Sequence, residues 1–98
     1  MSYDRRIVQP LQSFAPAVLA AIIRRQPPSK ERTNFAWSVA VGPALARVTT
    51  VELRNRNIIV CARDLQWARE LERARDTILP RLQMLLGPEA VKGLYINA

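Results

Sequence analysis

The chain has 98 residues, 49% of them hydrophobic and 23% charged, with 15 Lys+Arg against 8 Asp+Glu and a net charge of +7. This describes one ordinary globular domain, not a disordered tail or two domains, and one core can hold it without metal or disulfide. With no His and a single Cys, Cys61, a Ser-His-Asp or Cys-His arrangement, an ordinary zinc site and an intramolecular disulfide are excluded.

Residues 1–10 read as a polar, flexible N-terminus carrying Arg5 and Arg6, and residues 11–98 as a single domain. Ser13 suits the N-cap of a first helix, built on Ala17, Val18, Ala20, Ala21, Ile22 and Ile23 and ending at Arg24-Arg25. Two cations there complement the helix dipole; contact with phosphate is the other reading. Pro27-Pro28 forbids continuation. Ser29 is a natural N-cap for the second helix, with Glu31 in its first turn. At 100° per residue, Phe35, Val39, Gly42 and Ala46 share one face, and Trp37, Val41 and Leu45 another. A helix apolar on two faces is buried between elements. Trp37 lies on an apolar stripe and is a core residue. Gly42 suits a close backbone approach, and Pro43 either kinks the helix or starts a new turn.

Residues 48–53 and 58–62 are rich in β-branched side chains and flank Arg54-Asn55-Arg56-Asn57, whose Asn residues suit positive φ: a hairpin. Val51 and Leu53 face one way; Thr50, Glu52 and Arg54 face the other. The second strand is apolar on both faces, which predicts a central position. Ile58, Val60 and Ala62 point to one side, and Ile59 and Cys61 to the other. Asp64 caps a third helix whose stripe is Trp67, Leu71, Ala74, Ile78, Leu82 and Leu85, making Trp67 a core residue too. Arg69, Arg73 and Asp76 lie opposite, and Glu70 and Glu72 are spaced to pair with Arg69, Arg73 and Arg75. Arg75 sits at the edge of the apolar arc, where a snorkelling stem is expected. Pro80 predicts a kink or two consecutive helices. Gly87-Pro88 ends the run, and residues 91–97 form a last strand with Leu94 and Ile96 inward and Tyr95 outward.

The expected class is α+β: a small three-stranded sheet packed with helices in the order α-α-β-β-α(-α)-β. Without the first helix this is the order of type II KH-like domains. KH domains clamp nucleic acid with a Gly-x-x-Gly loop between two helices. The junction expected at residues 77–81 has no glycine.

Residues 35–42, Phe-Ala-Trp-Ser-Val-Ala-Val-Gly, are similar to the Trp-then-Val-Gly helix of the DciA family. The apolar strand at residues 58–62, Trp67-Ala68-Arg69-Glu70-Leu71, Ile78-Leu79-Pro80-Arg81-Leu82, and Leu86-Gly87 followed by Val91 continue the resemblance, which covers about residues 11–97. It implies a role in bacterial DNA replication, association with the replicative DnaB-type helicase, help in loading it, and DNA binding through a basic surface. Many members carry a further basic tail. The sequence stops at Ala98, so functions resting on a tail are expected to be weaker.

An enzyme is not expected. Gly42, Gly87 and Gly93 are isolated, so no Gly-rich phosphate loop exists, and the carboxylates sit among arginines, where solvated ion pairs are the plain reading. No catalytic residue, cofactor, metal or small-molecule substrate is assigned. The longest apolar stretch, residues 15–23, contains Pro16 and is too short to span a bilayer, and no signal peptide is evident. A cytoplasmic protein with no membrane contact is expected.

Thirteen of the fifteen cations are Arg; a preference for phosphate and a GC-rich coding bias are equally good readings of that ratio. The net +7 favours an anionic partner. Arg54, Arg56 and Lys92 are the expected basic edge, with Arg69 and Arg73 as further nucleic-acid contacts. No aromatic run interleaves with them, so weak, non-specific phosphate contact is favoured over base readout. Ile59, Cys61 and Tyr95 mark a sheet face where either a partner docks or the first helix folds over. Three readings stand: a helicase- and DNA-contacting adaptor, a KH-like RNA-binding module, and a pure protein-interaction domain.

Overall fold

The computed structural model describes residues 16–98; the expected Ser13 cap and the N-terminal segment lie outside them. The elements are α1 (Pro16–Arg25), α2 (Lys30–Val41), α3 (Pro43–Arg47), β1 (Thr49–Arg54), β2 (Asn57–Ala62), α4 (Leu65–Arg73), α5 (Arg75–Leu86) and β3 (Gly93–Asn97). The chain is α+β in the expected order, with Pro43 opening the short α3.

The sheet order is β1-β2-β3, so β2 is central, as an apolar strand requires. β1 pairs antiparallel with β2, placing Val51 beside Val60 and Leu53 beside Ile58. β3 pairs parallel with β2, placing Leu94 beside Ile58 and Ile96 beside Val60. Parallel pairing needs a crossover, and α4 and α5 supply it. Ile58, Val60, Ala62 and Leu94 are buried under the helices with Ala36, Trp37, Ala40, Leu71, Ile78, Leu82 and Leu85.

Two caps predicted from sequence form. Ser29 Oγ accepts the Arg32 N–H at 3.0 Å, and Asp64 Oδ1 accepts the Trp67 N–H at 3.1 Å. Trp37 is buried, and its Nε1–H donates to Thr49 Oγ1 at 2.8 Å. That hydroxyl donates in turn to the Leu45 carbonyl at 2.8 Å. One indole thereby ties α2, α3 and β1. Trp67 packs against the core but is only half-buried.

Four expectations are corrected. The third helical stretch forms two consecutive helices, as expected, but the break falls at Ala74, with φ −91° and ψ 3°, and Pro80 lies inside α5. The proline ring crowds the carbonyl four residues back, here Asp76, so its distortion falls on the preceding turn. The Ala74 N–H is shared between the Glu70 and Leu71 carbonyls, and the Ala74 carbonyl accepts from both Thr77 and Ile78. The junction is displaced from residues 77–81, yet it too has no glycine.

Gly42 serves no close approach: a methyl group there would meet nothing within 4 Å. It is required for its backbone, φ 90° and ψ 162°, a region essentially restricted to glycine. At the hairpin tip the positive-φ residues are Asn55 (51°) and Arg56 (67°), not the two asparagines. A two-residue turn of this kind needs φ > 0 at both central positions, and register puts Arg56 in the second. Lastly, α1 packs against α5, burying Leu19 and Ile23, and does not fold over the sheet.

Candidate functional site

The hairpin brings three predicted cations to one end of the sheet. Arg54 closes the turn opposite Asn57, and Arg56 occupies its tip. The Lys92 N–H donates to the Arg56 carbonyl at 2.6 Å, so the approach to β3 is tethered to the tip. Gly93 then passes beside Asn57. A Cβ at Gly93 would lie 2.8 Å from Asn57 Oδ1, so glycine permits this close lateral fit.

The three cations differ in their partners. Arg54 Nη2 donates to both Glu52 carboxylate oxygens at 2.9 Å, and Lys92 Nζ lies 3.7 Å from Glu89. The Arg56 side chain has no ion-pair or hydrogen-bond partner among the described residues. Exposed pairs of this kind contribute about 0–1 kcal/mol, so a phosphate can replace either carboxylate at little cost. Arg56 needs no such exchange.

Arg69 and Arg73 come from a different element than the hairpin. They lie in the middle and at the end of α4, which follows β2. Arg73 pairs with Glu70 at 2.9 Å, and Arg69 has no partner among the described residues. Arg75 is half-buried with its head 3.4 Å from Glu72, which fits the snorkelling stem. Three further arginines hold structure. Arg24 donates to the Gln83 and Met84 carbonyls at the end of α5, Arg32 to Gln26 and Arg81 to Ala40.

Sequence reasoning passed over Arg47 and Arg63. The Arg63 N–H donates to the Val48 carbonyl at 2.8 Å, which sets Arg63 next to Arg47 at the end of the sheet away from the turn. Extending the hairpin register by one pair finds this neighbourhood.

The sheet face turned from the helices carries three rows: Arg54, Asn57 and Gly93; Glu52, Ile59 and Tyr95; Thr50, Cys61 and Asn97. The predicted partner-binding residues share this face. Ile59 is half-buried, Cys61 exposed, and Tyr95 54% exposed. Among the described residues no helix lies over them. The face is not continuously apolar, because polar side chains flank these three in every row.

Among the described residues no group of three or more His, Cys, Asp or Glu is placed to hold a metal ion. No helix among them is long and apolar enough to cross a membrane. Fold and surface together define a small basic α+β domain with KH-like element order. The family model described as "Dna[CI] antecedent, DciA" matches residues 10–96, and the chain belongs to the DciA family. This is a family of DnaB helicase loaders, and it makes the chain a DNA-replication accessory protein at that level. No curated protein and no solved structure matches the chain.

Proposed function

We propose that this chain is a non-enzymatic replication adaptor that contacts the replicative DnaB-type helicase and holds nucleic acid weakly, without sequence preference, on its hairpin end. The observation that carries the reading is the DciA match over residues 10–96. The basic hairpin end supports its nucleic-acid half. Arg56 projects from a turn tip with no competing carboxylate, and Arg54 and Lys92 flank it in exchangeable pairs. Phosphate recognition needs charge and donors rather than aromatic platforms, and that is what this edge offers. Arg69 and Arg73 are secondary contacts in this reading, on a separate helix. The Ile59, Cys61 and Tyr95 face is the proposed protein-facing surface. The place of action is the cytoplasm, where replication occurs.

The test is co-purification with the cognate replicative helicase, with and without nuclease, alongside a helicase-loading assay on single-stranded DNA. Nuclease-resistant association and stimulated loading are expected. Association that vanishes with nuclease overturns the helicase contact. Preference for one RNA sequence moves the chain to the KH-like RNA-binding reading.

A further inference from the structure

We infer that the free edge of β1, together with the flank of α2, is a docking groove for an extended acidic peptide of a protein partner, which adds to the sheet as a fourth strand. The site runs along β1 up to the hairpin end, where Glu52 of its lining pairs with Arg54, but it does not depend on the function proposed for that end.

The argument begins with hydrogen-bond direction. Arg54 and Asn57 flank a two-residue turn, so their backbones bond to each other. Along an antiparallel pair this inward-facing role recurs every second residue, and falls on Glu52 and Thr50. The Arg63 N–H bonded to the Val48 carbonyl continues the series. Val51 and Leu53 therefore turn their N–H and C=O away from β2. Those four groups have no partner among the described residues.

The space beside them is shaped. One groove of about 290 Å³ is lined by Pro28, Ser29, Lys30, Arg32 and Thr33 from the α2 side and by Val51, Glu52 and Leu53 from β1. A second, of about 470 Å³, is lined by Lys30, Asn34, Trp37 and Ala46 and by Thr49 to Val51. Both contain residues from the two faces of the pleat, which places them along the strand edge. They share Lys30 and Val51 and so adjoin along the strand. A strand edge beside a helix, with free main-chain groups and alternate side-chain pockets, is the geometry of peptide recognition by strand addition.

Charge selects the occupant. Lys30 stands where the two grooves meet and has no ion-pair partner among the described residues. A second copy pairing edge to edge would bring two chains of +7 together, which like-charge repulsion opposes. An acidic segment is attracted instead.

The test selects a random eight-residue peptide display library on the immobilised chain, then measures amide hydrogen exchange with a selected peptide. The expected peptides are acidic and β-branched, and they slow exchange at Val51 and Leu53. Val51→Pro removes one outward donor, a change an edge strand tolerates, and binding should fall about tenfold. Lys30→Glu should remove the preference for acidic peptides. The proposal is overturned if no peptide is selected, if Val51 and Leu53 stay unprotected with peptide bound, or if their protection rises with protein concentration alone, which means a second copy. Should Val51→Pro fail to fold, exchange on the unmodified chain decides.

Discussion

Arg56 holds a left-handed backbone at φ 67°, a region that costs a residue with a side chain roughly 1–2 kcal/mol. Glycine is the preferred residue there, so a turn selected only for stability has no use for this arginine. Arg56→Gly separates the two demands. The variant should be more stable by about 0.5–1 kcal/mol, read by urea unfolding, while binding nucleic acid more weakly. A variant that is both less stable and unchanged in binding contradicts this account of the turn. Gly42 is the opposite case. Its φ of 90° and ψ of 162° exclude a Cβ although space is open around it. Gly42→Ala should cost about 1–3 kcal/mol. The two tryptophans divide likewise. Trp37→Ala removes a buried ring and leaves the Thr49 hydroxyl oxygen without its donor, at about 3–5 kcal/mol. Trp67→Ala, from a half-buried site, should cost about 1–3 kcal/mol.

The elements that were legible in the sequence are those whose signals are local. Ser29 and Asp64 stand ahead of helical runs and accept the N–H groups of Arg32 and Trp67 as capping predicts. Replacing Asp64 by Ala should cost about 1 kcal/mol, checked by thermal melting. The alternation in β1 and the apolar run in β2 gave the correct faces and the correct central strand, because a period of two assigns a face without further information. What escaped was non-local. Nothing near Arg24 signals that its guanidinium reaches carbonyls 59 and 60 residues away. The break at Ala74 escaped for a related reason: nothing in the local sequence marks it, and α5 beyond it packs against α1, α2 and β3, which are distant in the chain.

At the scale of the molecule, net charge and usable charge are different quantities, and this limits how much of the site the sequence could show. Composition yields +7 and points to an anionic partner. The structure then commits Arg24, Arg32 and Arg81 to main-chain carbonyls and pairs Arg54, Arg73, Arg75 and Lys92 with carboxylates. The remaining cations among the described residues are dispersed: Arg25 at the end of α1, Lys30 at the start of α2, Arg56 at the turn, Arg47 and Arg63 at the far end of the sheet, and Arg69 on α4. Only at the hairpin end do three of the predicted contacts, Arg54, Arg56 and Lys92, stand together. A phosphate backbone bound there engages about three cations, and each contributes about −0.9 to the slope of log affinity against log salt on duplex DNA, for a total near −2.7. Affinity should then fall about 40-fold between 50 and 200 mM salt, measured by fluorescence anisotropy with duplexes of unrelated sequence. Arg56→Gly should flatten the slope by about 0.9, whereas Arg69→Ala should leave it nearly unchanged, since Arg69 belongs to α4 and not to the hairpin. A slope twice as steep, or one that Arg69→Ala flattens as much as Arg56→Gly does, means that the bound strand runs across the molecule and the hairpin end is only part of its path.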